Sequence, residues 1–239
     1  MTGVNVPEPA YDAFVAGRVL EVRQRIAQAC VIGGLQQEVT LVAVTKTHGP
    51  EAVVAAWRAG VRDVGENKVQ EAESKMQALP ADVTVRWHLI GHLQRNKAKG
   101  AVRFALVHSI DSERLALAVN DAAKAAARVQ DVLVQVNVSG EASKGGITVG
   151  DVPALADRLH ECQALRVVGV MTMAPFDAPE VELRRVFSGA RAARDGFKSA
   201  GHPATALSMG MSDDFEVAVQ EGATLVRLGT VLFGHRASP

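Results

Sequence analysis

Thr40-Leu41-Val42-Ala43-Val44-Thr45-Lys46, closed by Thr47-His48-Gly49-Pro50, is the stretch that decides the reading of this chain. Apolar and β-branched residues lead straight into an amine, and glycine and proline then end the run. A short continuous apolar run of this kind predicts a strand buried on both faces of a parallel sheet. If that strand belongs to a (β/α)8 barrel, Lys46 stands on the face where barrel active sites are built. A lysine desolvated there loses its proton more readily and can attack a carbonyl to form a Schiff base. A lysine that simply opens a solvated loop is the competing reading, and position alone does not separate the two.

Working outward, the same kind of run recurs. Strands are predicted at 41–45, 63–65, 86–90, 106–110, 132–138, 166–171, 206–208 and 225–228. Helical patterns lie between them, at 50–59, 68–79, 94–102, 112–127, 151–162, 180–199 and 213–221. The fourth carries Leu115, Ala118, Val119, Ala122 and Ala126 on one face, behind a cap region at Asp111-Ser112-Glu113. Strands alternating with helices imply parallel βαβ units. The 239 residues suit a TIM barrel, for which ~250 is typical. An open doubly wound sheet usually carries G-x-G-x-x-G after its first strand, and that motif is missing. Leu20, Val22, Ile26 and Ala29 predict an extra helix in the 1–39 extension, packed across the exterior or bottom of a barrel spanning 40–234. With no linker or internal repeat, 1–239 reads as one domain.

Composition narrows the function classes. Twenty-six basic residues balance twenty-six acidic ones, which argues against a nucleic-acid partner. Cys30 and Cys162 form no C-x-x-C pair, so neither a zinc site nor a disulfide framework is indicated. Cys162 falls in a predicted helix and reads as core. The first twenty residues lack the apolar core of a signal peptide. No run approaches the ~20 apolar residues of a membrane span. A soluble cytoplasmic protein is expected.

The strand ends carry the chemistry. They offer Lys46, then Glu66 and Asn67, then His88 and His92, then His108, Ser109 and Asp111. The later ends offer Asn137 and Ser139, Thr172, Ser208-Met209-Gly210-Met211-Ser212, and Arg227-Leu228-Gly229-Thr230. Loops after the last two strands of such barrels often bind phosphate through backbone N–H groups. Gly210, Ser212, Gly229 and Thr230 supply close backbone approach and hydroxyls there. Phosphate plus a Schiff-base lysine points to a phosphorylated aldehyde, either pyridoxal 5′-phosphate (PLP) or a sugar phosphate in an aldolase. Arg227 favours PLP, because a pyridine nitrogen is a suitable partner for a buried guanidinium. An ion pair between Arg227 and a carboxylate such as Glu66 is the structural alternative.

These residues together resemble the YggS/PROSC family of PLP-binding, PLP homeostasis proteins. The motifs are Ala43-Val44-Thr45-Lys46-Thr47, Gly65-Glu66-Asn67 with Val69-Gln70-Glu71, and Trp87-His88-Leu89-Ile90-Gly91-His92-Leu93-Gln94-Arg95-Asn96-Lys97. They continue with Val107 to Ser112, Val136 to Glu141 with Lys144 and Gly146, Gly169-Val170-Met171, Leu207 to Ser212, and Val226 to Thr230 ending in Phe233-Gly234. The resemblance implies a fold-type III PLP barrel like the N-terminal domain of alanine racemase, with PLP held as a covalent aldimine. It assigns Lys46 to the Schiff base, Arg227 to the pyridine nitrogen, and Ser212, Gly229 and Thr230 to the phosphate cup. Asn67, Ser208 and Met209 match residues lining the cofactor, and His88 a barrel-interior position near it. Lys68 departs from the aromatic residue the family often has after Gly-Glu-Asn.

His92, Arg95, Lys97, Lys99 and Arg103 read either as a solvated helix face or as an electropositive lip for an anionic cofactor. A racemase needs a second proton donor on the far face of the substrate carbon. Tyr11, the sole tyrosine, lies ahead of the first strand and is a poor candidate. An arginine at the pyridine nitrogen also weakens the ring as an electron sink. The expectation is a non-catalytic, monomeric PLP carrier serving vitamin B6 homeostasis, with apo-PLP enzymes as partners and no metal. The alternatives are a racemase-like enzyme with His88 as second base and a sugar-phosphate aldolase.

Overall fold

In the computed structural model, described over residues 8–141 and 144–234, eight parallel strands close into a barrel. Residues 1–7 of the expected extension lie outside the described residues. The strands are β1 (Thr40–Val44), β2 (Asp63–Glu66), β3 (Arg86–Leu89), β4 (Leu106–Ile110), β5 (Gln130–Asn137), β6 (Ile147–Thr148), β7 (Leu165–Met171), β8 (Ala206–Ser208) and β9 (Leu225–Leu228). The helices are α1 (Glu8–Gly33), α2 (Pro50–Arg58), α3 (Val69–Ala78), α4 (Ala98–Ala101), α5 (Glu113–Ala125), α6 (Val152–Leu159), α7 (Glu180–Ser199), α8 (Phe215–Gln220) and α9 (Thr230–Phe233). The order β4-β3-β2-β1-β9-β8-β7-β5 is closed by pairing of β4 with β5, and the short β6 pairs only with β5.

The period of two along each strand sorts the residues. Leu41 and Ala43 of β1 face outward into the large core shared with the helices. Val42 faces inward and joins Leu106, Leu133, Met171 and Leu225 in a separate buried cluster. The expectation that the 41–45 run is buried on both faces is met. Gly169 in β7 is required by the closeness of β8: a Cβ there would stand 1.9 Å from the Ala206 carbonyl oxygen. Pro50 opens α2, and the Ser112 side chain accepts from Leu115 N–H at the start of α5, as the sequence predicts. Cys162 is buried.

The extra helix α1 lies on the barrel exterior, against α2, α8 and α9. Val15, Val19, Val22, Ile26 and Ala29 form its buried stripe. Arg25 adds a two-pronged bond to Glu216 at 3.1 and 2.8 Å, and stacks over Phe215. Three details differ from the sequence reading. The helix expected at 94–102 is a 3-10 turn, Arg95–Lys97, followed by the single turn α4. Gln94 to Lys97 are all exposed, and only Ala98 and Ala101 bury a face, too little apolar surface for a longer helix. β6 and α9 are also additions, both too short to show a period in sequence. No helix of the described residues is long and apolar enough to cross a membrane.

Candidate functional site

A cavity of about 940 Å3 opens at the C-terminal ends of the strands. Six of the nine expected site residues line it: Lys46, Asn67, Ser212, Arg227, Gly229 and Thr230. The other three, His88, Ser208 and Met209, are buried beneath it. Met209 turns its side chain into the outer core, while its backbone N–H donates to Leu225 O. The basic residues Arg95, Lys97, Lys99 and Arg103 are exposed, and only His92 of that stretch reaches the cavity wall.

Lys46 stands one residue beyond Thr45 at the end of β1, continues the alternation of Val42 and Val44, and lines the cavity as Val44 does. The amine-bearing residue is exposed, which corrects the expectation of a desolvated lysine. What is buried is the frame around it. Glu66, fully buried at the end of β2, accepts from the Thr45 hydroxyl and from Lys75 Nζ, each at 2.5 Å. Lys75 of α3 also donates to the Thr45 carbonyl oxygen at 2.7 Å and to Glu71 at 3.1 Å. Glu71 in turn accepts from the Thr47 N–H at 2.5 Å. Thr47 has φ 70°, an uncommon and strained conformation for a β-branched residue. The backbone on both sides of Lys46 is thus pinned by one ionic knot.

The knot has a distinct electrostatic character. Burial pushes the Glu66 carboxyl above the usual range, against the opposing hydrogen bonds from Lys75 and Thr45. Its Oε2 has no hydrogen-bond partner among the described residues. Burial acts the same way on Glu71, but the Thr47 N–H and Lys75 outweigh it and hold that carboxyl low.

Arg227 projects from β9 and is itself held. Nη1 donates to Ser208 Oγ at 2.6 Å and Nη2 to the Thr172 carbonyl oxygen at 3.0 Å. Glu66 takes Lys75 and Thr45 on Oε1 alone, and Arg227 turns to Ser208 and Thr172, so the alternative Arg227–Glu66 pair does not form. Burial brings the Arg227 pKa down to about 10, with Asp214 pulling the other way, so the guanidinium stays charged at neutral pH. It reaches the cavity wall with N–H donors beyond the two that Ser208 and Thr172 engage.

The corner expected to take a phosphate forms from the loops after β8 and β9, the seventh and eighth barrel strands. Ser212 Oγ accepts from Val231 N–H at 3.3 Å and ties the two loops together. A Cβ on Gly229 would stand 3.2 Å from the Val44 carbonyl oxygen, so glycine keeps the backbone close to the end of β1. One wall therefore offers an amine, a second a charged planar donor, and a third a backbone cradle. An aldehyde, a ring nitrogen acceptor and a phosphate on one small molecule match those three features.

Comparison with known proteins identifies the family. The family model described as alanine racemase, N-terminal domain, matches residues 24–237. "Pyridoxal phosphate homeostasis protein" of Pseudomonas aeruginosa is 42% identical over 226 residues, covering 93% of this chain and 96% of the relative. The protein of the same name from Escherichia coli is 40% identical over 229 residues, covering 93% and 97%. The chain belongs to the pyridoxal phosphate homeostasis protein family. Its family likeness extends to solved structures. PipY of Synechococcus elongatus with PLP bound superposes with a TM-score of 0.82 at 36% identity, covering 92% of this chain and all of that one. Alanine racemase from Corynebacterium glutamicum has a TM-score of 0.71 at 15% identity, covering 95% of this chain and 62% of that chain. That likeness shows the shared (β/α)8 barrel alone.

The site residues that sequence reasoning missed are supporting ones. Lys75 and Glu71 sit four apart on α3, a spacing that puts them on one face, and alternation from Leu106 places His108 inside the barrel. Both signals are in the sequence, but neither says what the side chains meet.

Proposed function

We propose that this protein binds PLP in the cavity, holds it as a Schiff base on Lys46, and serves intracellular PLP homeostasis as a carrier without turnover of its own. The observation that carries the reading is the convergence of Lys46, Arg227 and the Ser212–Gly229–Thr230 cradle on one cavity. Lys46 bonds the aldehyde carbon, Arg227 donates to the pyridine nitrogen, and the cradle takes the phosphate. Asn67 lines the ring's edge, and His88, Ser208 and Met209 support the site from below. A charged arginine opposite the ring nitrogen opposes its protonation, so the site favours holding the cofactor over stabilising a carbanion.

The racemase reading needs a second base. Tyr11 lies half-buried in α1 and away from the cavity wall, and burial pushes its pKa up to about 12. His88 has one ring nitrogen against Asp63 and the other against His108. Neither is placed to move a proton at a substrate carbon. The loaded chain then acts as a cytoplasmic monomer that passes PLP to apo-enzymes. The purified protein loaded with PLP should show a visible Schiff-base absorbance band, and Lys46→Ala should lose it. Identical spectra from the two would refute the assignment, and transfer of PLP to an apo-enzyme tests the carrier role. Deuterium exchange at the α-carbon of amino acids at enzymatic rates would restore the racemase reading.

A further inference from the structure

Behind Arg227 a line of buried polar side chains crosses the barrel interior. Arg227 Nη1 donates to Ser208 Oγ at 2.6 Å, and Ser208 Oγ meets His108 Nδ1 at 2.8 Å. His108 Nε2 meets His88 Nδ1 at 2.9 Å, and His88 Nε2 meets Asp63 Oδ1 at 2.8 Å. Asp63, the first residue of β2 and so at the opposite end of the barrel, is clasped by Arg86 through bonds of 2.8 and 2.7 Å. Each residue from Asp63 to Arg227 is buried, and His108 and Ser208 are wholly so.

The donors and acceptors permit one consistent arrangement. Burial opposes ionisation of Asp63, but the bonds from His88 and Arg86 outweigh it and keep the carboxyl low, so Asp63 only accepts. His88 Nε2 therefore carries a proton. Burial, with His88 and Arg227 nearby, holds His108 well below the ordinary histidine range, so that ring is neutral. If His88 were doubly protonated, His108 would have to donate to Ser208 from Nδ1. The Ser208 hydroxyl proton would then face no acceptor among the described residues. The remaining order runs one way: Arg227 donates to Ser208, Ser208 to His108, His108 to His88, and His88 to Asp63.

We propose that Asp63, His88, His108 and Ser208 form a positioning relay for Arg227, a hydrogen-bonded line of one polarity that presents the Ser208 oxygen to the guanidinium as a pure acceptor. The line fixes the plane of Arg227 without setting a carboxylate directly against it. Asp214 interacts with the guanidinium at longer range, and the carboxylate of the line stands at the far end of the barrel. A direct ion pair would commit the fork of donors to a carboxylate and quench its charge. The relay satisfies part of the fork and leaves charge and donors for an acceptor in the cavity. None of the four residues lines the cavity, so they act through Arg227. The inference rests on reading the cavity as a PLP site.

Nitrogen NMR on ring-labelled wild type at neutral pH should find His88 and His108 both protonated at Nε2 and bare at Nδ1. PLP affinity by equilibrium dialysis gives the functional readout. His108→Leu should weaken binding about tenfold, equivalent to about 1.4 kcal/mol. His108→Gln keeps an amide donor and a carbonyl acceptor at matching positions and should stay within about threefold of wild type. If His108→Leu does not fold, Asp63→Asn at the far end of the barrel replaces it, with a few-fold loss and shifted ring signals expected. Rings protonated at Nδ1 or charged, or wild-type affinity in a folded His108→Leu or Asp63→Asn, would overturn the relay. A wild type that binds no PLP would overturn the cofactor reading instead, and the relay would then stand or fall on the ring signals.

Discussion

Two walls of the cavity, those of Lys46 and Arg227, are supported in opposite ways. Under Lys46 the supporting groups are ionic and grip the backbone: buried Lys75 and partly buried Glu71 hold Thr45 and Thr47, and Lys46 itself stays exposed. Under Arg227 the line of buried groups next to the residue is hydrogen-bonded and neutral, and it grips the side chain itself through Ser208 and Thr172. The difference fits the two tasks proposed for these residues. A nucleophile that must make and break a covalent bond needs a fixed origin and a free tip. A partner for a ring nitrogen needs a fixed tip, because a guanidinium that swings recognises nothing in particular.

The comparison can be broken most forcefully on the Lys46 side. Lys75→Met leaves Glu66 in the interior without its counter-charge, and removing one partner of a buried pair costs about 3–5 kcal/mol. Urea unfolding measures this, and a loss below about 1 kcal/mol would show that the ionic knot is not what holds β1 and β2 to α3. On the Arg227 side, Ser208→Ala strands one guanidinium donor and one imidazole nitrogen in a buried site. A loss of about 1–3 kcal/mol is expected, together with weaker PLP binding. Normal stability and affinity would mean that the two walls do not differ as described.

The pH dependence sharpens the contrast, because the two buried carboxylates titrate in opposite senses. Glu66 is raised in the folded protein, so the folded state binds more protons there and the stability Glu66 contributes falls as pH rises above 4.5. Asp63 is lowered, so its contribution is present above 3.8 and is lost as pH falls through its folded pKa. Unfolding curves of wild type, Glu66→Gln and Asp63→Asn across that range should show the wild-type advantage over the first shrinking with rising pH, and over the second with falling pH. Trends of the same sign would contradict the assignment. The smallest stability effect belongs to the residue proposed to carry the Schiff base. Lys46→Ala should change unfolding stability by no more than about 0.5 kcal/mol, since an exposed side chain away from packing contributes little.

Much of this molecule is legible in the chain. The run ending in Lys46 reads as a doubly buried strand, because a parallel sheet covered on both faces calls for a continuous apolar run. Seven further runs and the helical patterns between them imply the barrel, and the barrel implies that strand ends share a face. The six expected site residues that line the cavity all stand at such strand ends, and the family resemblance picked them out among the polar residues there. The length of the helix near Arg95, the β6 addition and the single turn of α9 were not legible, because segments of two to four residues carry no period.

What the sequence by itself determined is the order of elements and the residues delivered to the mouth of the barrel, since both follow from local periodicity and from the fixed alternation of side chains along a strand. Only the tertiary structure decided which buried groups stand behind them. Lys75 looks like any helix lysine until α3 packs on β2, and His88, His108 and Ser208 become neighbours only when β3, β4 and β8 close around one axis. Burial and hydrogen-bond partnership are properties of elements far apart in the chain, and they settle whether a charged or titratable side chain is free to react or held in place.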